Sequence, residues 1–159
     1  MGSNEPQIWD NPVGSIMTRD VVVADVHATV RSVAKIMEEK GHGCLIVVSG
    51  SLAVGIVTER DIVHKVTAEG VDPSKVLVED IMSTPLITVA STTKIREVAE
   101  KMCVYEIRRM VVADEMGKVV GLVTAGDLAK WLAAQKNYTD PALNAIARLK
   151  FPSDISPYR

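Results

Sequence analysis

The sequence predicts a mixed α+β (α/β) fold built as a tandem repeat, and three observations carry that prediction. The stretch Val54-Gly55-Ile56-Val57-Thr58-Glu59-Arg60-Asp61 recurs as Val120-Gly121-Leu122-Val123-Thr124-Ala125-Gly126-Asp127. An apolar stripe, Val30, Val33, Ala34 and Met37, recurs 65 residues later as Ile95, Val98, Ala99 and Met102. Between stripe and motif, each copy holds two short apolar runs parted by a turn. Stripes at i, i+3, i+4 and i+7 are amphipathic helices, and short β-branched runs bounded by turn residues are strands.

Taken in order, residues 1–12 are polar, hold two prolines and read as an irregular lead-in, with Trp9 placed to pack back onto the body. The first repeat covers residues 13–70. It opens at Val13-Gly14-Ser15-Ile16-Met17-Thr18, whose partner in the second copy is Val78-Glu79-Asp80-Ile81-Met82-Ser83. A short strand and the first amphipathic helix follow, and Gly41 and Gly43 end that helix as C-cap residues can; Glu106-Ile107-Arg108 stands at the matching place in the second copy. The first hairpin pairs Cys44 to Val48 with Ala53 to Val57, and the second pairs Arg109 to Ala113 with Val119 to Val123. The second turn is one residue longer, an insertion that a duplicated fold accommodates at a surface turn. Residues 71–77 link the copies and the second repeat covers residues 78–136. In the tail, residues 137–159, Leu143, Ile146 and Ala147 keep a helical stripe until Pro152 and Pro157 stop it, so a short helix is expected there.

A chain of 159 residues with 47% hydrophobic and 24% charged residues has the composition of a globular protein. Aromatics make up only 4%, so the core is built from Val, Ile, Leu, Met and Ala. The net charge of −2 supplies no basic excess for nucleic acid, and few aromatics offer a stacking platform. The apolar runs are too short to cross a bilayer and residues 1–12 lack the layout of a secretion signal, so no membrane partner and a cytoplasmic location are expected. Cys44 and Cys103, the two cysteines, read as buried reduced thiols, and no zinc-ligand spacing occurs.

Each Thr-x-x-Asp admits two compatible readings. Thr58 or Thr124 as N-cap with Asp61 or Asp127 three residues on is a capping box, which satisfies amide donors that a helix start leaves unpaired. The same helix start, with a hydroxyl and a carboxylate beside it, also suits a phosphorylated ribose: the amides favour phosphate, and an acid after a strand can accept ribose hydroxyls.

The order in each copy is Ile-Met-Thr/Ser, a strand, a helix, a hairpin and then Gly-h-Val-Thr-x-x-Asp, with h apolar. From about Val13 to Leu132 this resembles the CBS (cystathionine β-synthase) domain, present as the tandem pair called a Bateman module. The resemblance implies β-α-β-β-α repeats packed about a pseudo-twofold axis, with two clefts for adenosine-containing ligands: AMP, ADP, ATP, S-adenosylmethionine or NAD. It further implies that Asp61 and Asp127 take ribose hydroxyls, with Thr58 and Thr124 near ribose or phosphate. Adenine would meet the opposite repeat, at Ser83, Ile87, Ile107 and Arg108 for the Asp61 cleft and at Thr18, Val22, His42 and Gly43 for the Asp127 cleft. An Arg before the first hairpin strand often meets phosphate in this family. Arg109 fills that position in the second copy, with Lys130 as a further cation, whereas the first copy has Cys44 there and depends on Arg60. His42 between two glycines also reads as an ordinary loop residue, and Arg108-Arg109 as a solvated pair.

The function expected on this basis is a regulatory module that senses an adenine nucleotide of AMP type and acts on a separate protein or through its own assembly. The resemblance also implies a homodimer, with Ile62, Val66, Leu128, Trp131 and Leu132 as contact candidates. The alternative is a ligand-independent dimeric scaffold in which Thr-x-x-Asp only caps helices. No nucleophile–base pair, Walker loop, Gly-x-Gly-x-x-Gly or metal cluster stands in the sequence, so no catalytic residue, metal or obligatory cofactor is expected.

Overall fold

A computed structural model describes residues 7–135 of the chain; the helix expected in residues 137–159 lies outside them. The described residues group into two compact units. One gathers residues 21–86 with 116–118, and the other gathers residues 7–20 with 87–115 and 119–135.

The 21–86 unit runs β1 (Val23–Asp25), α1 (Val30–Lys40), β2 (Cys44–Ser49), β3 (Leu52–Thr58) and α2 (Glu59–Ile62), which continues as a π-helical turn over Val63–Thr67. The sheet order is β1-β2-β3, with β1 parallel to β2 and β2 antiparallel to β3. The parallel pair needs a crossover, and α1 supplies it. Thr29 starts that helix by accepting from Ser32 N at 3.2 Å, and Gly41, at φ 67°, ends it. Between these caps the expected stripe is the buried one: Val30, Val33 and Met37 pack with Leu45, Val47 and Val57. Ile46, on the other face of β2, is buried as well, so the strand reads as a continuous apolar run rather than an alternating one.

The other unit repeats the plan: β4 (Thr88–Val89), α3 (Ile95–Val104), β5 (Arg109–Ala113), β6 (Val119–Thr124) and α4 (Ala125–Ala133), in sheet order β4-β5-β6. Val98 and Met102 pack with Met110, Val112 and Val123, and Ile95, earlier on the same stripe, is fully buried as well. The two hairpins share a register shift, between Val47 and Val48 in one and between Val112 and Ala113 in the other. The copies differ at the helix ends. At the N-cap of α3 stands Lys94, whose side chain caps nothing, and beyond its C-terminus Glu106 takes a left-handed backbone, φ 53°.

The opening segment of each copy serves the strands of the other copy. Val13 N donates to Thr93 O, Ile95 N donates to Asn11 O, and Pro12 bridges to Lys94. In the first repeat's unit, Val78 N donates to Ala28 O, Val30 N to Val76 O, and Leu77 bridges to Thr29. Val13 and Val78 are both fully buried by this exchange. It also explains the glycine in each motif. A Cβ on Gly55 would lie 2.6 Å from the Met82 sulfur and 3.0 Å from the Ser83 carbonyl oxygen, and one on Gly121 would lie 2.5 Å from Met17 and 3.0 Å from Thr18.

The lead-in, expected to be irregular, contains a short 3-10 turn at Gln7–Asp10. Trp9 packs edge-on against Trp131 with ring centroids 5.5 Å apart, and Asp10 pairs with Lys94 at 3.1 Å. Two expectations need correction. Val66, a candidate for an intersubunit contact, is buried in the core of its own unit, because the helical turn points it inward, whereas Ile62 packs against that core while staying partly exposed. Cys103 is exposed rather than buried, since it stands one step round α3 from the inward-facing Met102, while Cys44 is half-buried; neither forms a disulfide. No helix among the described residues is long and apolar enough to cross a membrane.

Candidate functional site

Each Thr-x-x-Asp lies where a sheet strand passes directly into a helix, and each closes a complete capping box. Thr58 Oγ1 accepts from Asp61 N at 3.2 Å, and Asp61 Oδ2 accepts from Thr58 N and from Thr58 Oγ1, both at 2.9 Å. In the second copy Thr124 Oγ1 accepts from Asp127 N at 3.1 Å, and Asp127 Oδ2 accepts from Thr124 N and Oγ1 at 2.8 Å. The strand-to-helix step is further fixed by the residue before each hairpin. Glu59 N donates to Gly43 O at 3.0 Å, and Ala125 N donates to Arg108 O at 2.9 Å.

The exchanged segments come in alongside. Ser83 and Ile56 exchange both backbone hydrogen bonds, at 2.8 and 3.2 Å, which sets Ser83 two residues before Thr58 on the neighbouring strand. Thr18 and Leu122 do the same at 2.8 and 2.9 Å, two residues before Thr124. Of the residues expected around Asp127, Thr18, Arg109, Thr124 and Lys130 therefore share its unit, whereas Val22, His42 and Gly43 belong to the 21–86 unit. Of those expected around Asp61, Thr58, Arg60 and Ser83 share its unit, and Ile87, Ile107 and Arg108 belong to the other. Ile87 and Ile107 pack partly into the core of their unit, as Val22 does in its own.

The half-sites differ in charge. Arg109 is the cross-strand neighbour of Thr124, and at the equivalent place Cys44 neighbours Thr58. A guanidinium there offers paired donors to phosphate oxygens, and a thiol offers nothing comparable. Arg60 and Lys130 are exposed on their helices.

The largest departure from the sequence reading is Lys65. Its Nζ lies 2.8 Å from Asp61 Oδ1 and donates to Ile81 O at 2.6 Å. Asp61 thus has both oxygens engaged, its side chain being only 13% exposed. Asp127 has Trp131 at the corresponding i+4 position, and its Oδ1 has no partner among the described residues. The i,i+4 Asp-to-Lys spacing was visible in the sequence as a helical ion pair; the Ile81 carbonyl, which comes from the exchanged segment, was not. No group of three or more His, Cys, Asp or Glu side chains is arranged to hold a metal among the described residues.

Two strand-to-helix carboxylates, each beside an exchanged segment in a β-α-β-β-α unit, define a CBS-type pair. The CBS domain family matches the chain twice, at residues 13–68 and 78–134, and the protein belongs to that family. An uncharacterized protein of Methanopyrus kandleri is 38% identical over 117 residues, which are 73% of this chain and 60% of that protein, so the chain spans less than two thirds of its length. Among solved structures, the hexameric CBS-CP12 protein from bloom-forming cyanobacteria is 35% identical, with a TM-score of 0.64 over 74% of this chain and 69% of that one. A CBS domain pair crystallised with 5'-methylthioadenosine and S-adenosyl-L-methionine is 30% identical, with a TM-score of 0.68 over 76% of this chain and 98% of that one.

Proposed function

We propose that this protein is a regulatory module that binds an adenosine-containing ligand, of AMP type, through Asp61 and Asp127, and that it is not an enzyme. The observation that carries this reading is the Asp127 carboxylate, held by its own Thr124 through one oxygen while the other has no partner among the described residues. Thr18, Arg109 and the start of α4 supply a hydroxyl, a cation and the positive end of a helix dipole in the same unit, which suits ribose and phosphate. The adenosine ligands of the 30% identical pair support the ligand class. A monophosphate is favoured over a triphosphate because Arg109 and Lys130 are the cations expected near Asp127, while near Asp61 Arg60 has Glu59 adjacent and Lys65 is already engaged by Asp61 Oδ1 and the Ile81 carbonyl. The module is a homodimer, using half-buried Ile62, Leu128, Trp131 and Leu132 with exposed Val63, and it transmits ligand occupancy to a separate protein in the cytoplasm.

The closed capping boxes favour a second reading, a scaffold that needs no ligand, because both threonine hydroxyls and one oxygen of each Asp are already satisfied. Melting-temperature shifts with AMP, ADP, ATP, S-adenosylmethionine and NAD separate the two. A ligand at 100 times its dissociation constant adds about 2.7 kcal/mol of stability, so a rise of several degrees with AMP is expected, and no rise with any of the five favours the scaffold.

A further inference from the structure

We propose that Lys65 is a built-in competitor for the Asp61 carboxylate, which makes the Asp61 site the weaker of the two and the last to fill. The inference rests on the nucleotide-binding reading above and adds an order of occupancy that the motifs themselves do not contain. In both copies one carboxylate oxygen is spent on the N-cap threonine, so only Oδ1 is left to receive a ribose hydroxyl. At Asp61 the Lys65 ammonium already sits on that oxygen at 2.8 Å, and the same ammonium reaches the Ile81 carbonyl at 2.6 Å.

A ligand that takes Asp61 Oδ1 must displace the ammonium or share the oxygen with it, and displacement strips the Ile81 carbonyl of its charged donor. Ile81 is itself buried, and its carbonyl belongs to the segment that leads into Ser83. Losing a charged donor to a buried carbonyl costs more than breaking a surface ion pair. Asp127 carries no such cost, because the residue four positions on is Trp131, engaged edge-on with Trp9. The π-helical turn over Val63–Thr67 has no counterpart in α4, and it is the segment that carries Lys65. At limiting nucleotide the Asp127 site fills first, and the Asp61 site responds only at higher concentration.

The test is titration calorimetry with AMP on the wild type, Asp127→Ala, Asp127→Ala/Lys65→Met and Asp127→Ala/Lys65→Arg, each checked by thermal melt. Lys65→Gln replaces Lys65→Met if the apolar variant unfolds. Asp127→Ala leaves one weak site. Removing the ammonium is expected to tighten that site by about threefold to tenfold, while Lys65→Arg leaves it weak. A gain in affinity is a result that a merely structural lysine does not produce. Unchanged or weaker binding in Lys65→Met, in a protein whose Asp127→Ala parent still binds AMP, overturns the role of Lys65 and leaves the nucleotide reading standing. Absence of AMP binding in the wild type overturns both.

Discussion

Glu106 occupies the place where the first repeat has Gly41, and both take a left-handed backbone, at φ 53° and 67°. The helix end and the turn into the hairpin strand demand that conformation whichever residue is present. An L-residue with a Cβ pays about 1–2 kcal/mol for it and glycine does not. Glu106→Gly is therefore expected to stabilise the protein by about 1 kcal/mol in urea melts, somewhat less than the strain because glycine also widens the unfolded ensemble. A destabilised variant would show that the Glu106 side chain contributes more than its backbone costs. The glycines of the motif make the opposite case. Gly121→Ala would place a Cβ 2.5 Å from the Met17 sulfur and 3.0 Å from the Thr18 carbonyl oxygen. Met17 can shift and the paired backbone cannot, so a loss of about 1–3 kcal/mol is expected from overpacking. Equal thermal melts for Gly121→Ala and wild type would contradict the close approach.

At the scale of elements, the two stripes, the hairpins and the helix starts were legible because each is a local pattern. Val30, Val33 and Met37 are buried where their spacing put them, and Thr58 and Thr124 cap the helices their motifs announce. The exchange of opening segments was not legible from the residues alone. Val13-Gly14-Ser15-Ile16-Met17-Thr18 precedes the first strand in sequence, and nothing in its own pattern says that its backbone pairs with Leu122 and Thr93. Only the glycine within an otherwise apolar run hinted that another backbone comes close. Lys65 was missed for a related reason: a single ion pair was visible at i,i+4, but its second partner depends on that exchange. The exchange makes a prediction of its own. Removing residues 1–18 takes Val13 and Met17 out of the core that contains Val98, Met110 and Val123. Amide hydrogen exchange of the truncated protein should show lost protection in α3, β5 and β6 and near-normal protection in α1, β2 and β3. Uniform loss across all six would show that the segment is not specific to its unit.

For the whole molecule, 17.2 kDa of mixed α/β chain with half-buried Ile62, Leu128, Trp131 and Leu132 and exposed Val63 is read as one protomer of a dimer. Closed symmetric pairing is the commonest way such surfaces are covered. Light scattering at high micromolar concentration should give twice the chain mass, and a value near 17.2 kDa would end the dimer proposal. The proposed sensing role rests more heavily on the two carboxylates than on assembly. The most direct measurement is AMP calorimetry on Asp61→Ala, Asp127→Ala and the double variant, with thermal melts beside it. As caps, the carboxylates contribute about 0.5–2 kcal/mol each to stability. As a ribose ligand through its remaining oxygen, each makes a charge-assisted hydrogen bond of about 1.5–3 kcal/mol, so each single variant should weaken one site by about tenfold to a hundredfold while staying folded. The double variant should bind no AMP. Wild-type stoichiometry and affinity in all three, with melts lowered by only a few degrees, would contradict the account and leave Thr-x-x-Asp as a pair of helix caps.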